Sequence, residues 1–507
     1  MASTTPRLEL ERSPGPPTAA GQFTTRFGSL PQIPPSMIMT AAIVAALVCG
    51  RFLADGRIKY GLGIVLVAAY APVVFFDLPV AFAVFTAILF IKDIRALTVL
   101  PNAVGVLVGL GFIGAFAARF RTLAVIKEQR RLLIGLILFM LLLTVSAAWA
   151  PDPGAAASEA GFWWLGALAM LIVMATPTAR GISLIALAFV IGGTVAAIYG
   201  LATGGLDTAT TTTAVTNAAT AAAAAANGRL TGGGGDPNLQ AAGFIAAMFL
   251  ALGLYNVYRR RAARIALVLA FALITVAFFR TESRGGLLAL AVTTLVSMVL
   301  FPEQRRRLLA FAVVALVIAG IVVAAQPGSL ARITDLGGGT SGRSDIWPVA
   351  AKVFEQHPLF GVGLNNFAVV EPHYTLLHKN VSRVQYITGS AGVAPYPAHN
   401  TYLQLLAEDG IVGLLAYLAI VVASLRTALL ASRMFRKKGY RDYAYLAQAS
   451  MMGTLGMLTA IFLFTDGDDW RVWILLGLGP ALLALARSLP RGGVVDPARP
   501  QEQPALI

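Results

Sequence analysis

The sequence predicts an all-α membrane protein: a polytopic helical bundle of about 12–14 spans, with one large extracytoplasmic loop containing short amphipathic helices. Three observations lead there. Only 12% of the 507 residues are charged, about half of the roughly 25% usual in soluble domains. Mean hydropathy is +0.75. Apolar runs of about 18–20 residues recur along the chain, long enough to cross a hydrocarbon core of about 30 Å; a β-barrel would show alternating strands of about ten residues instead. The net charge of +15 sits in short clusters between apolar runs, the pattern of cytoplasmic loops, so no nucleic-acid partner is expected. The single cysteine, Cys49, excludes an intramolecular disulfide.

Residues 1–35 are rich in Pro, Ser and Thr and read as a disordered cytoplasmic tail, with no cleavable signal peptide. Spans are expected at 36–54, 60–76, 78–92, 98–118, 132–150, 160–176, 181–202, 239–257, 263–279, 285–301, 308–326, 402–425, 444–465 and 471–488. The pair at 60–76 and 78–92 is short and split by Asp77-Leu78-Pro79, which leaves a hairpin or re-entrant element open. The chain divides into an N-terminal bundle (36–326), a large loop (327–401), C-terminal spans (402–488) and a second disordered cytoplasmic tail (489–507).

Basic clusters set the expected orientation. Arg119 to Arg131, Arg259 to Arg264, Arg305 to Arg307 and Arg426 to Arg441 all fall on one side of the listed spans. The positive-inside rule makes that side the cytoplasm. The loops at 151–159, 203–238, 280–284, 327–401 and 466–470 then face outward and hold few basic residues, which singles out their arginines. In the first third, Arg51, Arg57 and Lys59 break this parity. The 203–238 loop carries a Thr- and Ala-rich stretch and ends in Arg229, a glycine run and Asp236-Pro237-Asn238, a turn into the next span.

Arg280 and Arg284 flank Thr281-Glu282-Ser283 at an outward boundary, and share a face if that turn is helical. They suit either interfacial snorkelling or anion binding. In Thr340-Ser341-Gly342-Arg343, either hydroxyl is placed to cap a helix running to about Gln356, with Ile346, Trp347, Ala350, Val353 and Phe354 on one apolar face. Arg343 in its first turn opposes the helix dipole, which points to an anionic ligand. All four histidines, His357, His373, His378 and His399, lie in the large loop. His399 opens a helix on which Asn400, Gln404 and Glu408 form a polar stripe. That cluster suits a helix start bonded to the loop, or a histidine that handles a proton; no ligand spacing favours zinc. Asp466, Asp468 and Asp469 form either a metal-binding pair or an acidic outward cap paired with Arg471.

Ser283-Arg284-Gly285-Gly286, Gly342-Arg343-Ser344-Asp345-Ile346-Trp347, His357-Pro358-Leu359-Phe360-Gly361-Val362-Gly363 and His399-Asn400-Thr401-Tyr402 through Gly410 and Gly413 together resemble the O-antigen ligase/polymerase superfamily over roughly 229–415. The resemblance implies a GT-C type glycosyltransferase of the bacterial inner membrane. It takes a glycan from a polyprenyl pyrophosphate and transfers it to an acceptor hydroxyl on the extracytoplasmic face, as O-antigen ligases and surface or exopolysaccharide polymerases do. It also implies that two arginines and a histidine are essential, which by motif are Arg284, Arg343 and His399. Arg229 resembles a further family feature, although the glycine run after it departs from the pattern. On this reading Arg280, Arg229, Asn400 and Gln404 contact the pyrophosphate or substrate. The arginines replace a metal, no cofactor is used, and His399 acts as the base of an inverting displacement. The rival class is a polysaccharide or lipid-linked oligosaccharide transporter, which would place its polar residues at mid-membrane.

Overall fold

A computed structural model describes residues 51, 70, 73–74, 77–92, 94, 109, 128–203, 229–233, 235–325, 343–377 and 397–492. Among these the fold is all-α. Nearly all of the spans expected at 36–54, 60–76 and 98–118, the tail at 1–35, residues 493–507, Thr340, Ser341 and His378 lie outside the described residues.

Each expected span within the described residues is helical. They are α1 (Leu78–Ile88), α2 (Arg130–Val145), α3 (Pro153–Met174), α4 (Ala179–Thr203), α5 (Pro237–Val257), α6 (Arg261–Arg280), α7 (Arg284–Leu300) and α8 (Arg305–Ala325). After the loop helices α9 (Arg343–Gln356) and α10 (Phe367–Leu377) come α11 (Thr401–Glu408), α12 (Gly410–Lys438), α13 (Arg441–Ala460) and α14 (Trp470–Ser488). Eight of the helical segments are long and apolar enough to cross a membrane, and Leu78–Ile91 and Arg284–Leu300 are shorter apolar helices. Starts are written locally. Asp77, Asp152 and Asp236 each accept a backbone N–H in the first turn of α1, α3 and α5, and a proline follows within the first two positions.

The centre is built from α5, α13 and α14. Residues 471–486 of α14 are all buried, and α5 and α13 are covered on nearly every side. Small residues permit this approach: a Cβ on Gly253 would lie 2.6 Å from Ala449, and one on Gly456 would lie 2.4 Å from Ile245. α2, α6, α7, α8 and α12 are peripheral and expose Leu138, Leu269, Leu295, Leu316 and Leu415, as a lipid-facing surface requires.

The basic clusters meet at one end. Arg259 pairs with Asp442 at 2.9 Å, Arg487 with Glu128 at 3.2 Å, and Arg436 with Glu303. The opposite end gathers the turns before α5, between α6 and α7, and before α14, together with α9–α11. This is the sidedness that the charge pattern predicts for α2 to α14.

One expected span is corrected. The run at 402–425 is not one helix: α11 stops at Glu408, and α12 restarts at Gly410 and continues to Lys438. The break is where the large loop locks on. Val362 N donates to Ala407 O at 3.1 Å, Gly363 N to Glu408 O at 2.7 Å, and Ile411 N to Pro358 O at 2.9 Å. Gly361 (φ +62°) and Gly410 (φ +65°) make the contact possible, since a Cβ on either would fall 2.2 Å from backbone of the other strand of this clasp. Gly361→Ala is therefore expected to destabilise the protein by about 2–4 kcal/mol, from left-handed strain plus overpacking. A melting temperature in detergent equal to wild type would contradict this.

Candidate active site

The site end is assembled around the short connection between α13 and α14. Its backbone carbonyls and the Leu463 side chain do the positioning. Arg343 Nε donates to Leu463 O at 2.9 Å. Thr401 N donates to Ile461 O at 3.0 Å, and Thr401 Oγ1 to Phe464 O at 3.1 Å, which fixes the start of α11 just after His399. A Cβ on Gly285 would lie 3.2 Å from Leu463, so the start of α7, where Arg284 stands, packs on the same residue. Leu463 thus links the elements that carry Arg284 and Arg343, and it lies between the two residues, Ile461 and Phe464, whose carbonyls hold Thr401. The elements that carry the three motif residues come from separate parts of the chain and meet at this connection.

His399 is strained as well as placed. Its φ is +49°, a left-handed conformation that is uncommon for a side chain with a Cβ. The neighbours hold it there. Gln404 Oε1 accepts Ala398 N at 3.1 Å, and Gln404 Nε2 donates to Glu408 Oε1 at 3.0 Å. Glu408 Oε1 in turn accepts Phe367 N at 3.1 Å. Asn400 Oδ1 caps α11, accepting from Tyr402 N and Leu403 N at 3.0 Å. Of the two sequence readings of this polar stripe, bonding to the loop is the one the geometry displays for Asn400, Gln404 and Glu408, and its result is a fixed histidine.

Burial pushes the His399 imidazole below the ordinary histidine value, the Arg343 charge pushes it further, and Asp236 opposes both. Burial likewise lowers Arg343, again against Asp236. His399 is therefore held toward its neutral form, with Arg343 favouring and Asp236 opposing that form. Asp236 was read from the sequence only as part of a turn. Its sequence signal, Asp-Pro-Asn before a span, is that of a helix cap, and the structure shows that cap.

The arginines of the α6–α7 turn are less simply arranged than their spacing suggested. Arg280 ends α6 and Arg284 begins α7, with Glu282 between them at φ +50°. They do not share a helical face, because the chain reverses within the four residues. Arg284 is exposed, while Arg280 Nε is buried and takes no hydrogen bond among the described residues. Ser283 caps α7 through Gly286 N at 3.0 Å and donates to Asn238 Oδ1 at 2.7 Å. Arg229 Nε donates to Thr281 O at 2.9 Å, and its NH2 to Asn238 Oδ1 at 3.3 Å. Arg229 is thus a tie between the start of α5 and the α6–α7 turn, which brings Arg280, Arg284 and Asp236 to one place.

The remaining candidates divide by burial. His357 and His373 are exposed, and His373 stacks edge-on with Tyr374. The α9 face expected to lie on the membrane or the bundle buries Ile346, Val349, Ala350 and Val353 in a small core shared with Phe367, Tyr374 and Ala407. Asp469 does pair with Arg471, but the pair is a buried one, with Arg471 1% exposed and its guanidinium 5.2 Å from the Phe90 ring, so it is no outward cap. No group of three or more His, Cys, Asp or Glu suited to a metal occurs among the described residues.

Residues 269–418 match the family model for O-antigen ligase. No curated protein matches the chain significantly. The resemblance to the O-antigen ligase/polymerase superfamily therefore holds over the end of α6 through the start of α12. That segment contains Arg280, Arg284, Arg343, His399, Asn400 and Gln404; Arg229 and Asp236 lie outside it.

Proposed function

From a chain whose residues 269–418 carry an O-antigen ligase domain, we propose that this membrane glycosyltransferase moves a glycan from a polyprenyl-pyrophosphate donor to an acceptor hydroxyl. It works at the extracytoplasmic face of a bacterial inner membrane, as an O-antigen ligase or a surface-polysaccharide polymerase. The observation that carries the proposal is the meeting of His399, Arg343 and the α6–α7 arginines at the end opposite the basic loops.

The acceptor O–H attacks the anomeric carbon as the carbon–oxygen bond to pyrophosphate breaks. The lipid pyrophosphate leaves with the bonding pair, and the acceptor proton passes to His399, which releases it to water. A single in-line displacement inverts the anomeric centre. Arg343 and Arg284 balance the charge that grows on the leaving group, with Arg280 beside them; permanently charged, planar guanidinium groups suit a phosphate oxygen pair. No nucleotide or divalent ion enters this scheme. The lipid tail lies along the exposed apolar faces of the peripheral spans.

The proposal is tested with the full-length protein in detergent or nanodiscs, given a polyprenyl-pyrophosphate glycan and an acceptor. Transfer with inversion, undiminished by EDTA, supports it. Strict dependence on added divalent ion overturns the arginine-only scheme. In cells lacking the protein, accumulation of single lipid-linked repeat units marks a polymerase, and accumulation of long unligated chains marks a ligase.

A further inference from the structure

Residues 358–364 of the large loop cross between the outward ends of two spans. On one side Ile411 N and Val412 N, in the first turn of α12, donate to Pro358 O at 2.9 Å and to Leu359 O at 3.3 Å. On the other side Leu364 N donates to Ser146 Oγ at 3.0 Å, and a Cβ on Gly363 would lie 2.5 Å from Ala150 Cβ, just past the end of α2. The crossing turns Val362 and Leu364 inward, where both are buried, and leaves Leu359 and Phe360 outside, 59% and 49% exposed. Large apolar side chains grouped on a surface mark something that covers them. The end of α9 just before them is the reverse, with Lys352, Glu355 and His357 exposed.

Their level in the molecule says what the cover is. Leu359 is bonded alongside Val412, within the segment Gly410–Lys438 that is long and apolar enough to cross a membrane. Val412 and Leu415 on that segment are exposed. Phe360 meets Trp149 edge-on, with ring centroids 6.1 Å apart. Trp149 is exposed and directly follows the span Arg130–Ala148, whose Leu141 and Val145 are exposed too. The lipid-facing surfaces of α2 and α12 thus continue onto Leu359 and Phe360, with a tryptophan at the depth where aromatic rings gather at a bilayer boundary. We propose that this turn is a membrane anchor of the large loop: Leu359 and Phe360 insert into the outer leaflet beside Trp149, just below the headgroups, while Lys352, Glu355 and His357 stay in water. The partner is the phospholipid bilayer, engaged through apolar area. α9 is then gripped at both ends, by Leu463 O through Arg343 and by lipid through the turn that follows Gln356.

The test places a bimane probe on the full-length protein in phosphatidylcholine nanodiscs, at 359 through Leu359→Cys and at 355 through Glu355→Cys, each with the single native cysteine removed by Cys49→Ala. Phe360→Cys gives a second position on the turn if Leu359→Cys does not melt like wild type. Lipid brominated near the glycerol end of its acyl chains is expected to lower emission at 359 about twofold, since an interfacial anchor lies about 5–10 Å deep at the headgroup–acyl boundary. Lipid brominated near the chain methyls should quench it less, and aqueous iodide should leave it unchanged. Position 355 should respond to iodide and not to brominated lipid. Quenching at 359 by iodide alone puts the turn in water and overturns the proposal. Shielding from both quenchers overturns it as well, because protein then covers the turn. Either result leaves the transfer scheme standing, since no step of that scheme uses Leu359 or Phe360.

Discussion

His399→Ala is expected to lower transfer by about 10²–10⁴-fold, the usual worth of a positioned general base, while the protein still inserts, purifies and melts normally. The fold should tolerate the change because the hydrogen bonds at this point belong to its neighbours, Ala398 N to Gln404, Asn400 to the start of α11, and Thr401 to Ile461 and Phe464. Alanine keeps the Cβ that makes φ +49° unfavourable, so the backbone strain stays and the comparison removes only the imidazole. The pH dependence has a definite sign. Burial and Arg343 hold the imidazole below its ordinary value of 6.5, against Asp236. The reactive form is the neutral one, so the rate is flat through pH 7 and falls as pH drops through the lowered value, on the acid side of 6.5. Charging this histidine also costs stability in the same direction, because below 6.5 the unfolded chain takes up a proton that the folded site resists. A rate that rises on acidification, or a fully active His399→Ala protein, would exclude the base assignment.

Most of the architecture was legible because the bilayer makes helices compulsory and apolar length measurable. Asp77 and Asp236, with proline close behind, marked the starts of α1 and α5, and the basic clusters share one end; the start of α3 was missed, since the span expected from 160 begins at Pro153 behind its Asp152 cap and takes up most of the loop expected at 151–159. The break at Asp409–Gly410 was not legible. α11 and α12 are both apolar enough to read as one span, and the interruption follows from a docking contact with Gly361 some fifty residues earlier. The same limit applies to the site. Arg284, Arg343 and His399 stand in the motifs that carry the resemblance, and the elements bearing them pack around one connection. The carbonyls of Ile461, Leu463 and Phe464 that hold two of them were not readable, because every residue type carries the same carbonyl. The spacing of Arg280 and Arg284 misled for a related reason: a four-residue interval implies a shared face only if the chain stays helical, and Glu282 at φ +50° reverses it.

Arg343→Ala should lower transfer by about 10²–10³-fold, the typical loss on removing one preorganised donor to developing negative charge. Arg343→Lys distinguishes charge from geometry. In the wild type Nε is fixed on Leu463 O, and the two terminal nitrogens make no hydrogen bond among the described residues. One edge of the guanidinium therefore anchors the side chain while the other is available to two oxygens of a phosphate. An ammonium cannot do both, because its donors radiate from one atom on a flexible stem, so lysine should restore only part of the lost rate. The two variants differ in a second readout. Alanine removes the positive charge acting on His399, so its imidazole should titrate higher and the acid limb should move toward 6.5 from below; lysine keeps the charge and should leave the limb near its wild-type position. A purely structural Arg343, tying α9 to Leu463, predicts a different pattern: both variants would lose thermal stability, and neither would move the limb in a charge-dependent way. Equal turnover in Arg343→Lys and wild type would show that charge alone suffices and would remove the bidentate clamp from the mechanism.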